Sequence, residues 1–300
     1  MRIVLFGQAA FGRDVLAALR EAGEEVVGVS VPRQAGRPDP LAEAAEAAAI
    51  PVIETPALRQ DEPFQRYLDW RPELLVFAFV TDIVRKRVLD AASLGAIQYH
   101  PSLLPRHRGR SAMNWAILSG ATRTGLTVFW VDEGIDTGPV LLQREVEIGP
   151  DDTVGSLYFQ RLYPLGVEAL VEAVRLVREG TAPRLLQDET AATYEPPCGP
   201  EHGVVDWAQH GQVVHNVIRG VDPQPGASAR IRGETLRLYG SRYLPGHPPQ
   251  PPGTVLAITE GRAEVAVIGG TLSIERVQRE GQGKVAAGDV LQAGDVLGHG

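Results

Sequence analysis

The sequence predicts an α/β domain with a mostly parallel sheet, followed by a small β barrel. Three observations carry that reading. In the first half of the chain, short apolar runs alternate with helical patterns, as βαβ units do. Residues 184–203 then become irregular, with Pro196-Pro197 and several glycines, and read as a linker. Beyond them, short apolar segments recur at near-regular spacing between Gly and Pro, the pattern of a small barrel.

Residues 3–6 are apolar, Gly7 turns the chain, and residues 11–20 set Val15, Leu16 and Leu19 at helical spacing. Residues 26–31 read as a second buried strand, 41–49 as an Ala/Glu-rich helix and 51–53 as a short strand. Residues 74–79 are continuously apolar, which suits a central parallel strand. A long helix is predicted from Val154 to Arg178, with Asp or Thr before it as a cap and Pro164 set to kink or divide it. One amphipathic helix, 211–219, precedes five predicted strands at 227–231, 235–239, 253–258, 263–268 and 271–277. The proline-rich stretch 245–252 reads as a solvent-facing connector.

Three hundred residues suffice for one large or two ordinary domains. No apolar run approaches the roughly 18 residues that span a bilayer, so no membrane partner is expected. The N-terminal residues run straight into a strand without a signal peptide's longer apolar region. Cys198 is the single cysteine, which excludes an intrachain disulfide and a cysteine zinc cluster. Together these features fit a cytoplasmic enzyme. A net charge of −8 weighs against a nucleic acid as principal partner. Residues 206–300 carry nine Lys+Arg and nine Asp+Glu, so that half is neutral rather than basic.

Gly7-Gln8-Ala9-Ala10-Phe11-Gly12 resembles a nucleotide loop only superficially. It lacks the middle glycine of GxGxxG, no acid closes the second strand, and Arg13-Asp14 stand where a phosphate loop has Lys-Ser/Thr. A tight strand-to-helix turn is the better reading, and no NAD(P) is expected. Two other stretches concentrate chemistry. Gln98-Tyr99-His100-Pro101-Ser102-Leu103-Leu104-Pro105-Arg106-His107-Arg108-Gly109 follows one apolar run, and Ile135-Asp136-Thr137-Gly138 follows another. Strand ends of open α/β sheets are where such proteins place their sites. A His at one end can give or take a proton near neutral pH, and an Asp at the other can accept one. Asp136 is expected on a turn that exposes its carboxylate at a sheet edge. Arg106, His107, Arg108 and Arg110 read by default as a solvated basic loop. Asp132 and Glu133 have no second acidic or His pair at ligand spacing, so no metal is expected.

HPSLLP with a downstream DTG resembles the signature of enzymes that use 10-formyltetrahydrofolate as formyl donor. That group includes methionyl-tRNA formyltransferase and glycinamide ribonucleotide formyltransferase. The text is most similar to the N-terminal hydrolase region of 10-formyltetrahydrofolate dehydrogenase, through YHPSLLPRHRG, FWVDEGIDTG, LLQREVEIGPDDTVGSLY, ATYE and HNVIRG. The resemblance implies a Rossmann-like formyltransferase domain over residues 1–203 and an OB-like C-terminal domain over 204–300. It implies His100 as proton donor and Asp136 as its catalytic partner. It also implies that the backbone of Asp82, Ile83 and Val84 holds the pterin, with Ser102, Leu103, Leu104 and Pro105 shaping the other wall. The basic loop would lie beside the site, where it could attract the folate's glutamate tail.

Gln98 departs from the family: transferases of the group carry Asn there, and the hydrolase region an apolar residue. Its amide is a candidate third catalytic group, one methylene further out than an Asn would place it. The folate would be a co-substrate, used without metal or NAD(P). Transfer of the formyl group to water is the favoured reaction. Formylation of initiator methionyl-tRNA or of another amine is the alternative, because the domain plan is shared; the short loop 31–40, without the Lys/Arg-rich insertion of tRNA-binding relatives, is what favours water. An inactive folate-binding module is the reading from a different class.

Overall fold

The computed structural model describes residues 1–33, 36 and 38–300; Gln34, Ala35 and Arg37, part of the short loop after the second strand, lie outside the described residues. Two compact units are built from interleaved segments. The first comprises Met1–Arg108, Gly125–Glu145 and Arg161–Thr193, and the second Gly109–Thr124, Val146–Gln160 and Tyr194–Gly300.

The first unit is organised on a sheet. Its strands are β1 (Arg2–Gly7), β2 (Glu25–Val31), β3 (Val52–Glu54), β4 (Leu74–Ala78), β5 (Ala96–His100), β6 (Arg123–Trp130) and β7 (Val140–Glu147), in the order β3-β2-β1-β4-β5-β6-β7. The five strands from β3 to β5 run parallel, and β6 is antiparallel to β5. This is the mostly parallel, Rossmann-like sheet the alternating pattern predicts. β4 is buried throughout and β1 from Ile3 to Gly7, which is why they read as unbroken apolar runs.

Helices α1 (Ala9–Glu21), α2 (Pro40–Ala47), α3 (Asp61–Asp69) and α4 (Lys86–Leu89) connect the strands. The turn into α1 is a packing device. A β-carbon on Gly7 would lie 2.6 Å from the Ala78 carbonyl oxygen, and one on Gly12 2.9 Å from Leu41. Asp39 caps α2 through the Leu41 N–H at 2.9 Å and also accepts from Ala9 N–H. Carboxylate bonding to the start of α1 leaves the glycine turn a structural role.

In the second unit, α5 (Ala112–Leu118) packs against the helix at Gly211–Gly220, and Asn114 donates to the Gly220 carbonyl at 2.8 Å. α6 (Val154–Leu157) starts in a capping box between Thr153 and Ser156. The long helix expected after it is divided: a π-helical turn at Tyr158–Leu162 separates α6 from α7 (Tyr163–Arg178). Pro164 occupies the first turn of α7, where its missing N–H costs nothing.

α8 (Gly211–Gly220) leads into an all-antiparallel sheet of β8 (Ala227–Ile231), β9 (Glu234–Pro245), β10 (Val255–Thr259), β11 (Arg262–Val267), β12 (Gly270–Arg279), β13 (Val285–Ala286) and β14 (Gly298–His299). The path β10-β11-β12-β9-β8-β14 curls until its ends meet. β14 pairs with β8, while the residues just before it bond to the start of β10, Val255 N–H to Asp295 at 2.8 Å and Leu297 N–H to Gly253 at 2.8 Å. Closure of this OB-like barrel pairs edges that would otherwise stand open. Its core is Leu236, Leu238, Val265, Leu272 and Ile274, with Ile218 of α8.

α8 carries buried polar groups. His215, 1% exposed, meets Ser241 Oγ through Nδ1 at 2.7 Å and the Pro150 carbonyl through Nε2 at 2.9 Å. A carbonyl only accepts, so Nε2 carries the proton and Nδ1 accepts from the hydroxyl. Burial pushes the His215 pKa below its ordinary value. The neutral ring therefore stabilises the fold fully above the unfolded pKa of about 6.5, and that contribution is lost as pH falls below it. Urea midpoints measured from pH 7.5 to pH 5 should fall for the wild type and fall less for His215→Gln; equal slopes would contradict the assignment.

Candidate active site

Gln98 and His100 are two residues apart on β5, so their side chains leave the same face of the sheet. After β6 the chain turns back across that face. Asp132 Oδ1 accepts from Gly134 N–H at 3.0 Å and from the Thr137 hydroxyl at 2.7 Å, closing the loop. Gly138 is required because a β-carbon there would collide with the Trp130 carbonyl. Asp136 itself takes φ +56°, a left-handed conformation that Asp tolerates better than most residues. The turn directs its carboxylate onto His100 and Gln98.

His100 is 4% exposed and Asp136 7%. His100 Nδ1 lies 3.5 Å from Asp136 Oδ2, beyond an ordinary hydrogen bond but within ion-pair reach. His100 Nε2 meets the His107 carbonyl oxygen at 2.8 Å. That oxygen cannot donate, so Nε2 holds a proton and Nδ1 is the position at which a second proton enters or leaves. Gln98 Nε2 donates to Asp136 Oδ1 at 3.4 Å. The three predicted catalytic residues are thus one cluster. The Gln98 amide serves the carboxylate here, and Asp136 is buried rather than displayed at a sheet edge.

Ser102–Pro105 follow directly, fastened by polar groups within the sheet. Thr127 of β6, fully buried, donates to the Ser102 carbonyl at 2.7 Å and accepts from Leu104 N–H at 3.1 Å. Gln143 of β7 donates to Thr127 Oγ1 at 2.9 Å and to the Leu104 carbonyl at 2.7 Å. Ser102 Oγ donates to the Arg106 carbonyl at 2.6 Å. These bonds shape the loop, in which Ser102 and Leu104 are buried while Leu103 and Pro105 are partly exposed. Asp82, Ile83 and Val84 follow β4 and form a hollow with Thr55, Leu58 and Arg59. Ile83 is 81% exposed, whereas Val84 packs on the core of Phe6, Tyr67 and Phe77. Asp82 Oδ2 is buried there without a hydrogen-bond partner. Among the described residues no group of three or more His, Cys, Asp and Glu is placed to hold a metal.

The stretch read as a linker is a strap across this unit. Pro183 accepts from the Trp130 indole at 2.8 Å, Leu185 bridges to Val140, and Thr193 bonds to Pro105, His107 and Arg108. Gln187 and Glu189 lie between. Arg108, expected in a solvated loop, is 7% exposed and bound to both. None of these residues stands in a periodic pattern, so their contribution carried no sequence signal. Thr127 did carry one: it is the one polar residue in the apolar run 126–131.

Comparison with known proteins gives the site its context. Residues 1–174 match the formyl transferase family model and residues 198–294 the model of the formyl transferase C-terminal domain. The human mitochondrial 10-formyltetrahydrofolate dehydrogenase is 44% identical over 86% of this chain and 28% of its own length. The chain spans between about a quarter and a third of the dehydrogenases it matches. The methionyl-tRNA formyltransferase of Geotalea uraniireducens is 35% identical over 99% of this chain and 98% of its own length. Among solved structures, HypX from Aquifex aeolicus in complex with tetrahydrofolic acid superposes with a TM-score of 0.71 at 22% identity, over 97% of this chain and 47% of that one.

The hub role of Thr127 has a direct consequence. Thr127→Val keeps the shape but leaves the Ser102 carbonyl and the Leu104 N–H without their partner. Denaturant unfolding should show a loss of about 1–3 kcal/mol, the scale for orphaned buried groups; an unchanged midpoint would show that the loop is held elsewhere. With two family domains matched in order and a full-length relative aligned end to end, the chain belongs to the formyl transferase family, whose enzymes move a formyl group from a folate.

Proposed function

We propose that this protein transfers the formyl group of 10-formyltetrahydrofolate to water, giving formate and tetrahydrofolate, in the cytoplasm. The observation that carries the reading is the buried cluster of His100, Asp136 and Gln98 on one face of β5. Water adds to the formyl carbon while Asp136 takes a proton from it, generating a tetrahedral centre. Asp136 passes that proton to His100 Nδ1, 3.5 Å away, and the resulting imidazolium stabilises the anionic centre and then delivers the proton to N10 as the carbon–nitrogen bond breaks. Residues 1–203 would hold the folate and the chemistry, and 204–300 the OB-like domain. The pterin would rest against Asp82, Ile83 and Val84 and against the loop Ser102–Pro105; the exposed Ile83 and Ile135 offer apolar surface for a flat ring.

Water is favoured as acceptor by the 44% identity to a dehydrogenase and by the neutral charge of residues 206–300. The 35% identity to a methionyl-tRNA formyltransferase along its whole length supports initiator tRNA as the second reading. Incubation with 10-formyltetrahydrofolate, with and without charged initiator tRNA, separates them. Free formate without tRNA supports the first, and formyl-methionyl-tRNA as the product overturns it.

His100→Ala and Asp136→Ala should each lower formyl release by about 10²–10⁴-fold while leaving tetrahydrofolate binding in place. The double variant should be only slightly worse than either, because both groups act on one intermediate. Near-wild-type turnover in either single variant would end this mechanism. Gln98→Leu removes a long hydrogen bond to the carboxylate, so about a tenfold loss of kcat is expected. A loss near 10³-fold would instead make the Gln98 amide a donor to the oxyanion.

A further inference from the structure

We propose that Arg108 and Gln187 form a clamp that sets both catalytic side chains, and that they are positioning residues of this reaction. The inference rests on the proposed use of His100 and Asp136 for formyl transfer and goes beyond it by assigning what holds them.

The Gln187 amide donates twice across the Asp136 turn, to the Asp136 carbonyl at 2.9 Å and the Gly138 carbonyl at 2.7 Å. Those bonds hold Asp136 at a φ that most non-glycine residues avoid. The amide is itself oriented, because its oxygen accepts from Arg108 Nη2 at 2.9 Å. Only one orientation of the amide satisfies all three bonds. Arg108 is fixed in turn by Glu189, with Nη1 to Oε2 at 2.9 Å and Nη2 to Oε1 at 2.6 Å, a bidentate pair of the kind a lysine cannot form. That pairing holds the guanidinium above its ordinary pKa, so the clamp keeps its charge across the working range.

The same residue governs the imidazole. Arg108 N–H donates to the Thr193 carbonyl at 3.0 Å, and His107 N–H to Thr193 Oγ1 at 2.8 Å. These bonds flank the His107 carbonyl, the group that receives His100 Nε2–H. His107 sits at φ +57°, another left-handed residue, so the carbonyl's direction depends on both neighbours being tied. Arg108 therefore reaches His100 through its main chain and Asp136 through its side chain and Gln187. The basic loop and the strap together fix the separation of the two reacting groups. Misplacing a reacting group by about 1 Å can cost about 10²-fold in rate, which is the effect a clamp prevents.

The test compares wild type, Gln187→Met, Arg108→Lys and the double variant by steady-state formyl release against pH, with tetrahydrofolate affinity read by calorimetry. Gln187→Met should lower kcat by about 10²-fold, leave KM and tetrahydrofolate affinity within about twofold, and move the pH–rate profile. Arg108→Lys, which keeps one cationic donor, should fall between it and wild type. The double variant should be no worse than Gln187→Met, because both act on one turn. Undiminished kcat in Gln187→Met, or a loss that appears in KM and folate affinity with an unmoved pH profile, overturns the clamp. If Gln187→Met does not fold, Arg108→Lys is the deciding variant, and wild-type kcat there overturns it equally. A wild type that releases formyl groups to neither water nor an amine removes the functional reading, and the clamp's catalytic role with it. That outcome is distinct from an active wild type with an indifferent clamp.

Discussion

The hydrogen bond from His100 Nε2 to the His107 carbonyl is the constraint on which the site depends. An imidazole has two nitrogens, and tying one to an acceptor that can never donate decides which tautomer the other must show. Nδ1 is thereby turned to Asp136, and any proton that arrives there lies between a ring and a carboxylate. Without that bond the ring could rotate or exchange its proton, and the carboxylate would have no defined partner.

Much of the first unit's irregular structure serves that geometry. β5 contributes Gln98 and His100 on one face, and the loop after β6 lays Asp136 over it, with Gly138 making the crossing possible. Thr127 and Gln143 use the interior of the sheet to hold the loop that follows His100. The strap supplies Gln187, Glu189 and Thr193 from one short segment. Regular elements set the coarse positions, and side-chain-to-backbone bonds set the fine ones. Division of labour of this kind is expected where catalytic groups must be placed within about half an ångström.

The legible parts of the sequence were those with local rules behind them. Apolar runs gave β1, β4 and the barrel strands because burial on one or both faces leaves a period. His100 and Asp136 were legible as chemistry-bearing residues beside chain-turning Pro and Gly, and the resemblance named their roles. Asp136 was expected to be exposed, yet it is buried, because the loop folds back on the sheet instead of ending at its edge. Arg108 looked like one cation among several in a polar loop. Its partners Gln187 and Glu189 lie some 80 residues away in a stretch whose Pro and Gly content suggested a linker. Long-range polar pairing has no periodicity, so nothing in the text could distinguish that strap from a tether.

The central claim is that the His107 carbonyl fixes the His100 tautomer and commits Nδ1 to Asp136. Two-dimensional nitrogen–proton NMR on protein labelled with ¹⁵N-histidine measures that directly. The account predicts a His100 Nε2 that carries its proton throughout the accessible pH range. It also predicts that the Nδ1 signal responds to Asp136→Asn. A His100 resonance with an unprotonated Nε2, and an Nδ1 signal indifferent to Asp136→Asn, would contradict it.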